Sequence, residues 1–211
     1  MPGAAILFAL VGAAWGIVAD RISARWPAHE AGVRRRPDWR TVALAVGGTL
    51  AMGAVPLRYA EPRDLLIVGA WFLVLLLLAA TDLDQKLLPD LLTLPLIPIA
   101  LGLVLAGWDP LLASKDLALL SAVVAGLGAP ALLVGSSAVL GGGLGAGDVK
   151  LAVSLGLMAG IVRLIAGFLV ASIGGAIVLV GLLATRRIGL KTAIPFGPIL
   201  LAAGMCAALV G

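Results

Sequence analysis

The run "LLIVGAWFLVLLLLAA" at 65–80 holds sixteen consecutive residues with no charge among them. A helix needs ~20 mostly apolar residues to cross the hydrocarbon core of a bilayer, and a membrane barrel would instead alternate apolar and polar positions. This stretch does not alternate, so it reads as a buried, membrane-spanning helix. The rest of the chain agrees, since 62% of its 211 residues are hydrophobic and only 12% are charged. A soluble domain of this length has no use for so much apolar surface. The expected fold class is therefore all-α, a polytopic membrane protein forming a single integral membrane domain over 1–211. The 28 glycines fit that class, because small residues let membrane helices approach closely.

Hydropathy breaks the chain into helix candidates near 4–19, 41–60, 65–81, 91–107, 117–140, 149–162, 164–184 and 194–210. The sixth and seventh are separated at Gly160 and Arg163, because 149–184 is too long for one ordinary span. No Lys or Arg precedes the first apolar run, which argues for a retained helix with its N-terminus outside rather than a cleaved signal. With eight spans, eleven of the 15 Lys and Arg residues fall on one side. These are Arg21, Arg25, Arg34, Arg35, Arg36, Arg40, Lys86, Lys150, Arg186, Arg187 and Lys191. Cytoplasmic loops carry the excess of basic residues, so that side is the inner one. The longest inner loop, 20–40, holds six arginines and the only histidine, His29, and reads as a basic anchor lying on anionic lipid. The net charge of +4 does not point to nucleic acid, because the basic residues are scattered between apolar segments without interleaved aromatics. The single Cys206 excludes a disulfide framework and a tetracysteine zinc site, and no metal site is expected.

The acids narrow the function. Among the 11 Asp and Glu residues, most, such as Glu61, Asp64, Asp109 and Asp116, fall in evident loops. Asp82, Asp84 and Asp90 instead fall in "TDLDQKLLPD" at 81–90, where the third helix emerges on the inner side. Asp148 falls in "GGGLGAGDVK" at 141–150, where the sixth begins on that same side. An ionisable group near hydrocarbon costs roughly 2.5–3.5 kcal/mol on insertion scales, which marks such acids as functional candidates. Asp90, just after Pro89, reads as a helix cap. Asp148 differs, because Gly145 and Gly147 beside it leave room for another chain segment. Two carboxylates from different helices can share a proton, one acting as base toward water and the other as acid toward a carbonyl. That chemistry needs no serine, cysteine or metal.

These motifs resemble those of the type IV prepilin peptidases, membrane-embedded aspartyl proteases of the GxGD class. "GAGDVK" at 145–150 is similar to the family's GxGDxK element. "TDLDQKLLPD" is similar to its first-aspartate motif with the following Leu-Pro-Asp, and "IPFGPIL" at 194–200 to its last-helix signature. The resemblance covers roughly 60–211, the expected peptidase core. It implies Asp82 and Asp148 as the catalytic pair, with Asp84 the competing candidate for the first role. Gly145, Gly147, Lys150, Pro89 and Asp90 are the accompanying motif and substrate-proximal positions. It also implies a multi-pass protein of the bacterial cytoplasmic (inner) membrane. Its substrates would be type IV prepilins or pseudopilins, whose short basic leader is removed at the cytoplasmic face for a pilus or secretion system.

Larger members carry a cysteine-rich cytoplasmic domain after the first helix, and many methylate the new N-terminus from S-adenosylmethionine. Here the corresponding region is about twenty residues without cysteine, so cleavage with no cofactor is expected. The alternatives are a signal-peptide-peptidase or presenilin-like protease, whose Tyr-Asp and Pro-Ala-Leu motifs are missing, and a small ion-coupled transporter using intramembrane aspartates. The transporter would call for a mid-span acid and duplicated halves, and neither is seen.

The charge distribution generates a direct check on topology. Cysteines introduced singly at 30 and 86 should be labelled only from the cytoplasm and one at 112 only from outside. Labelling of position 86 from outside would overturn the scheme.

Overall fold

The computed structural model describes residues 2–27, 35–112, 115–140, 144–185 and 197–210. They form α1 (Pro2–Ser23), α2 (Trp39–Arg58), α3 (Pro62–Gln85), α4 (Asp90–Leu105), α5 (Lys115–Leu140), α6 (Ala146–Ala184) and α7 (Gly197–Leu209). Among the described residues five helices are long and apolar enough to cross a membrane, namely α1, α2, α3, α5 and α6, while α4 and α7 are shorter apolar helices. The chain is an all-α polytopic membrane protein. His29 and the basic residues Arg34, Arg186, Arg187 and Lys191 lie outside the described residues, as do positions 194–196 of the last-helix motif.

One boundary differs from the sequence reading and one agrees with it. The helix expected to end near 19 continues to Ser23, so Asp20 and Arg21 belong to α1 rather than to a basic loop. The helices expected at 149–162 and 164–184 form one 39-residue element interrupted at Gly160, whose φ of 65° and ψ of −179° are not helical. That region of backbone space is open essentially only to glycine. The amide of Ile161, freed by the break, donates to the Ser121 hydroxyl at 3.0 Å. A broken membrane helix is tolerated when a neighbour takes over such a group, so α6 is two helices that meet at Gly160, where the sequence separates them.

Packing centres on α3. Its Phe72, Leu75 and Leu78 are fully buried together with Leu151, Leu155 and Met158 of α6 and Leu201 of α7. The helices α1, α2 and α7 pack around α3, whereas α4, α5 and α7 pack around α6. Thus α7 is the shared neighbour of the two groups. Gly12 of α1 and Gly48 of α2 face one another so closely that a methyl group on either would drive into the other's carbonyl. The Trp15 indole N–H donates to the Leu73 carbonyl at 2.8 Å, fastening α1 to α3, and the Tyr59 hydroxyl donates to the Ala208 carbonyl at 2.6 Å, fastening the end of α2 to the end of α7. Outward positions remain strongly apolar, as at Leu132 and Val162, which are 76% and 78% exposed. Such a surface suits hydrocarbon and not water.

The end of the bundle that carries Asp64, Asp109 and Arg163 lies opposite the end that carries Asp82 and Asp148. Asp109, in the loop between α4 and α5, has one carboxylate oxygen buried without a partner. Burial pushes its carboxyl up to about 7, against the opposing pull of the Leu111 and Leu112 amides and of Arg163.

Two outcomes follow from this packing. Gly48→Val should lower the thermal midpoint of the detergent-solubilised protein, at a cost of roughly 1–3 kcal/mol for overpacking; an unchanged midpoint would contradict the close approach of α1 and α2. Because the folded Asp109 holds its proton to higher pH than the unfolded chain, its contribution is full below about pH 4 and is lost as pH rises through about 7. In melting scans the Asp109→Asn variant should therefore gain on the wild type across that window, and a constant difference would count against it.

Candidate active site

The last turn of α3 presents its two aspartates to different surroundings, because residues two apart on a helix point to nearly opposite faces. Asp82 is only 7% exposed. Its Oδ2 is buried with no hydrogen-bond partner among the described residues, and the carboxylate lies against the first residue of α7. A Cβ added at Gly197 would sit 2.7 Å from the Asp82 Cγ. Asp84 faces α1 and α2, where Arg35 Nε and Arg40 Nη1 each donate to it at 2.7 Å. The turn closes on Lys86, a left-handed residue at φ 53°, whose amide bonds the Asp82 carbonyl at 2.8 Å.

Asp148 stands in the first turn of α6, after Gly145 as the N-cap residue. Its carboxylate accepts the Gly145 backbone N–H, the reach-back half of a capping arrangement that satisfies one of the open amides of a helix start. Gly147 is pressed against the segment ahead of α4, where an added Cβ would come within 2.7 Å of the Leu88 Cβ. Pro89 is the N-cap of α4. Asp90 opens α4, yet its partner is Lys150 of α6, whose Nζ donates to Oδ1 at 2.6 Å. The cap expected of Asp90 is therefore replaced by an ion pair between helices. The two motifs, 81–90 and 145–150, are docked on one another at one end of the bundle. The Asp148 carboxylate and the Lys86 ammonium both act electrostatically on Asp82.

Sequence reading missed the buried acid Asp20. It is completely buried in α1, paired with Arg21 and Arg35, and accepts the Thr41 hydroxyl at 2.5 Å. Arg35 Nη1 also donates to Asp38 at 2.7 Å, and Asp38 in turn caps α2. Burial works against the Arg35 charge, but its bond to Asp20 and the carboxylates of Asp20, Asp84 and Asp38 outweigh that and hold the guanidinium above its ordinary range. Three of the arginines assigned to a lipid-facing anchor, Arg21, Arg35 and Arg40, are thus spent on buried acids. Asp84, the competing candidate for the first catalytic role, is buried in its side chain, at 3% exposure. The signal available in the sequence was the position of Asp20 at the end of an apolar helix, the same cue that singled out Asp82.

Among the described residues no group of three or more His, Cys, Asp or Glu side chains gathers as a metal site requires. Cys206 is a free, half-buried thiol in α7. The arrangement offers instead two carboxylates, Asp82 of α3 against the start of α7 and Asp148 of α6, which acts on it electrostatically.

Residues 67–180, which include both Asp82 and Asp148, match the model of the type IV leader peptidase family. A prepilin leader peptidase/N-methyltransferase of Pseudomonas putida is 36% identical over 182 residues, which cover 84% of this chain and 61% of that protein. The protein of that name from Pseudomonas aeruginosa is 41% identical over 138 residues, covering 65% and 47% of the two chains. That from Burkholderia pseudomallei is 35% identical over 167 residues, covering 78% and 52%. The chain thus spans about half to three fifths of the length of these relatives. No solved structure matches it. With more than half of its residues inside the family model, including both docked motifs, the chain belongs to the type IV leader peptidase family.

Proposed function

We propose that this chain is a membrane-embedded aspartyl endopeptidase that removes the short basic leader of type IV prepilins or pseudopilins at the inner face of the bacterial cytoplasmic membrane. Asp82 and Asp148 are the reacting pair. The observation that carries the reading is the contrast between neighbours: Asp84 has its carboxylate held by two arginines, whereas Asp82 keeps an oxygen without a partner and feels the charge of Asp148. A buried carboxylate is costly to leave unsatisfied, and a fold that pairs Asp20 and Asp84 but leaves Asp82 open keeps that group for a substrate or a water.

In the reaction the ionised member of the pair takes a proton from water, and the oxygen attacks the scissile carbonyl. The protonated member gives its proton to the carbonyl oxygen; as the tetrahedral diol collapses it takes a proton back from the hydroxyl, and the member that took the proton from water passes it to the leaving amine. The start of α7 lies beside Asp82, and a helix N-terminus favours negative charge. Gly197 leaves the space in which the Asp82 carboxylate sits. Basic side chains of a leader are attracted to the acids at this end, and an interfacial site takes in water without carrying it through lipid. The relatives' names join peptidase to N-methyltransferase; our reading concerns the peptidase step, which asks nothing of S-adenosylmethionine. Family membership gives no support to the ion-coupled transporter.

Replacing Asp82 or Asp148 by Asn keeps the shape and removes the titratable carboxyl. At equal levels in the membrane each change should abolish the mobility shift of a co-expressed prepilin, whereas Asp90→Asn should retain substantial cleavage, since an exposed ion pair contributes only about 0–1 kcal/mol. Normal processing by both Asp82→Asn and Asp148→Asn would end the aspartyl-protease reading. Gly197→Ala places a methyl on the Asp82 carboxylate, so it should silence cleavage while the protein still inserts; full activity would show that the start of α7 does not bound the site.

A further inference from the structure

Arg35 uses all three guanidinium nitrogens on carboxylates from three places: Nε on Asp84 of α3, Nη1 on Asp38 ahead of α2 and Nη2 on Asp20 of α1. It lies in the segment between α1 and α2, and no part of it is near enough to Asp82 to bond it. Its effect on Asp82 runs through the helix turn that Asp82 and Asp84 share.

That turn has little to hold it on its own. It is the last turn of α3, where the final carbonyls have no helical partners and ends fray, and it closes on a left-handed lysine rather than a glycine. On the Asp82 side the carboxylate has an oxygen with no bond at all. The restraints come from the opposite side, where Arg35 and Arg40 hold Asp84 and the Gln85 side-chain amide donates to the Pro27 carbonyl at 2.9 Å and the Ser23 carbonyl at 3.2 Å. A planar guanidinium that bonds several carboxylates at once fixes direction as well as distance. Any rotation of the turn that released Asp84 would carry Asp82 with it.

We propose that Arg35 is a positioning residue for the Asp82 and Asp148 pair: by holding Asp84 against α1 and α2 it sets the rotation of the last turn of α3 and so aims Asp82 toward Asp148 and the start of α7. The inference rests on the reading of those two aspartates as the reacting groups. It separates the arginine that shapes the site from those that merely mark the inner side of the membrane.

The test is steady-state cleavage of a purified prepilin by the full chain in detergent, with Arg35→Gln, Arg35→Lys, Asp84→Asn and the double variant Arg35→Gln/Asp84→Asn. Misplacing a reacting group by an ångström costs up to about a hundredfold in rate. Arg35→Gln should lower kcat about tenfold or more while KM stays within about twofold, since binding is not what it alters. Arg35→Lys keeps the charge but not the fork, and should fall between wild type and Arg35→Gln. If Arg35 acts through Asp84, the double variant loses no more kcat than the worse single variant; independent losses would multiply. Wild-type kcat in Arg35→Gln, a rise in KM alone, or multiplying losses would each overturn the proposal. Should Arg35→Gln fail to accumulate, Arg35→Lys decides, with wild-type kcat overturning and a lower kcat at unchanged KM supporting. Asp82→Asn and Asp148→Asn run in parallel separate the two claims. If they are dead while Arg35 variants are normal, only the positioning role falls; if they cleave normally, the peptidase reading falls with it.

Discussion

The seat of α7 between α3 and α6 is the constraint on which the rest of this bundle depends. Membrane helices gain nothing from hiding apolar surface from lipid, so they associate through close packing of small residues. The buried face of α7 is built of them: Ala203, Gly204, Ala207 and Ala208, with Leu200 and Leu201. At Gly204 the side chains of Leu155 from α6 and Leu75 from α3 occupy the space a Cβ would need. At Gly167 of α6 the backbones of Ala203 and Ala207 approach as closely. Because α3 and α6 are brought together chiefly through this helix, the position of α7 fixes how far apart Asp82 and Asp148 stand. The same seating brings Gly197 against the Asp82 carboxylate.

Charge management divides the acids of that end into two kinds. Asp20 and Asp84 are buried and paired, and removing one partner of such a pair would leave an uncompensated charge. Their arginines come from the 20–40 segment, which thereby neutralises acids in the interior of the bundle. Asp90 is paired too, but with 61% of its side chain exposed that pair contributes little energy and serves as a register mark between α4 and α6. Asp148 is half satisfied by a backbone amide, and Asp82 least of all.

Much of this was legible in the residues. Apolar runs gave every helix to within a few positions, because in a membrane the length of a span is fixed by the bilayer and not by tertiary context. The break at Gly160 was legible too, as the point where a run too long for one span divides into two helices. The two aspartates stood out by depth alone. What could not be read was partnership. Asp82 and Asp84 share a motif, a helix turn and a charge, and only the opposite faces they take separate them; the arginines that decide the matter lie some fifty residues earlier, in a segment whose charge already had a sufficient explanation in topology. Asp20 escaped notice for the same reason, having been counted as the first residue of a loop when it is the last buried acid of α1.

The spacing of the second motif gains a physical meaning from the docking of the two loops. In "GAGDVK" Gly145 supplies the cap amide that the Asp148 carboxylate accepts. Gly147 is the point of contact with Leu88, and Lys150 reaches Asp90 across the same junction. Positions 147, 148 and 150 fall within one turn and a half of helix, so they point in three directions: toward the α4 segment, toward α3 and α7, and toward the first residue of α4. Inserting or deleting one residue would turn the helix by about 100° and separate the contact, the acid and the ion pair from their partners together. The rigidity of the motif therefore does not need catalysis to explain each of its letters. Gly147 and Lys150 hold the first turn of α6 against the loop that leads out of α3, and Asp148, carried on that turn, acts electrostatically on Asp82.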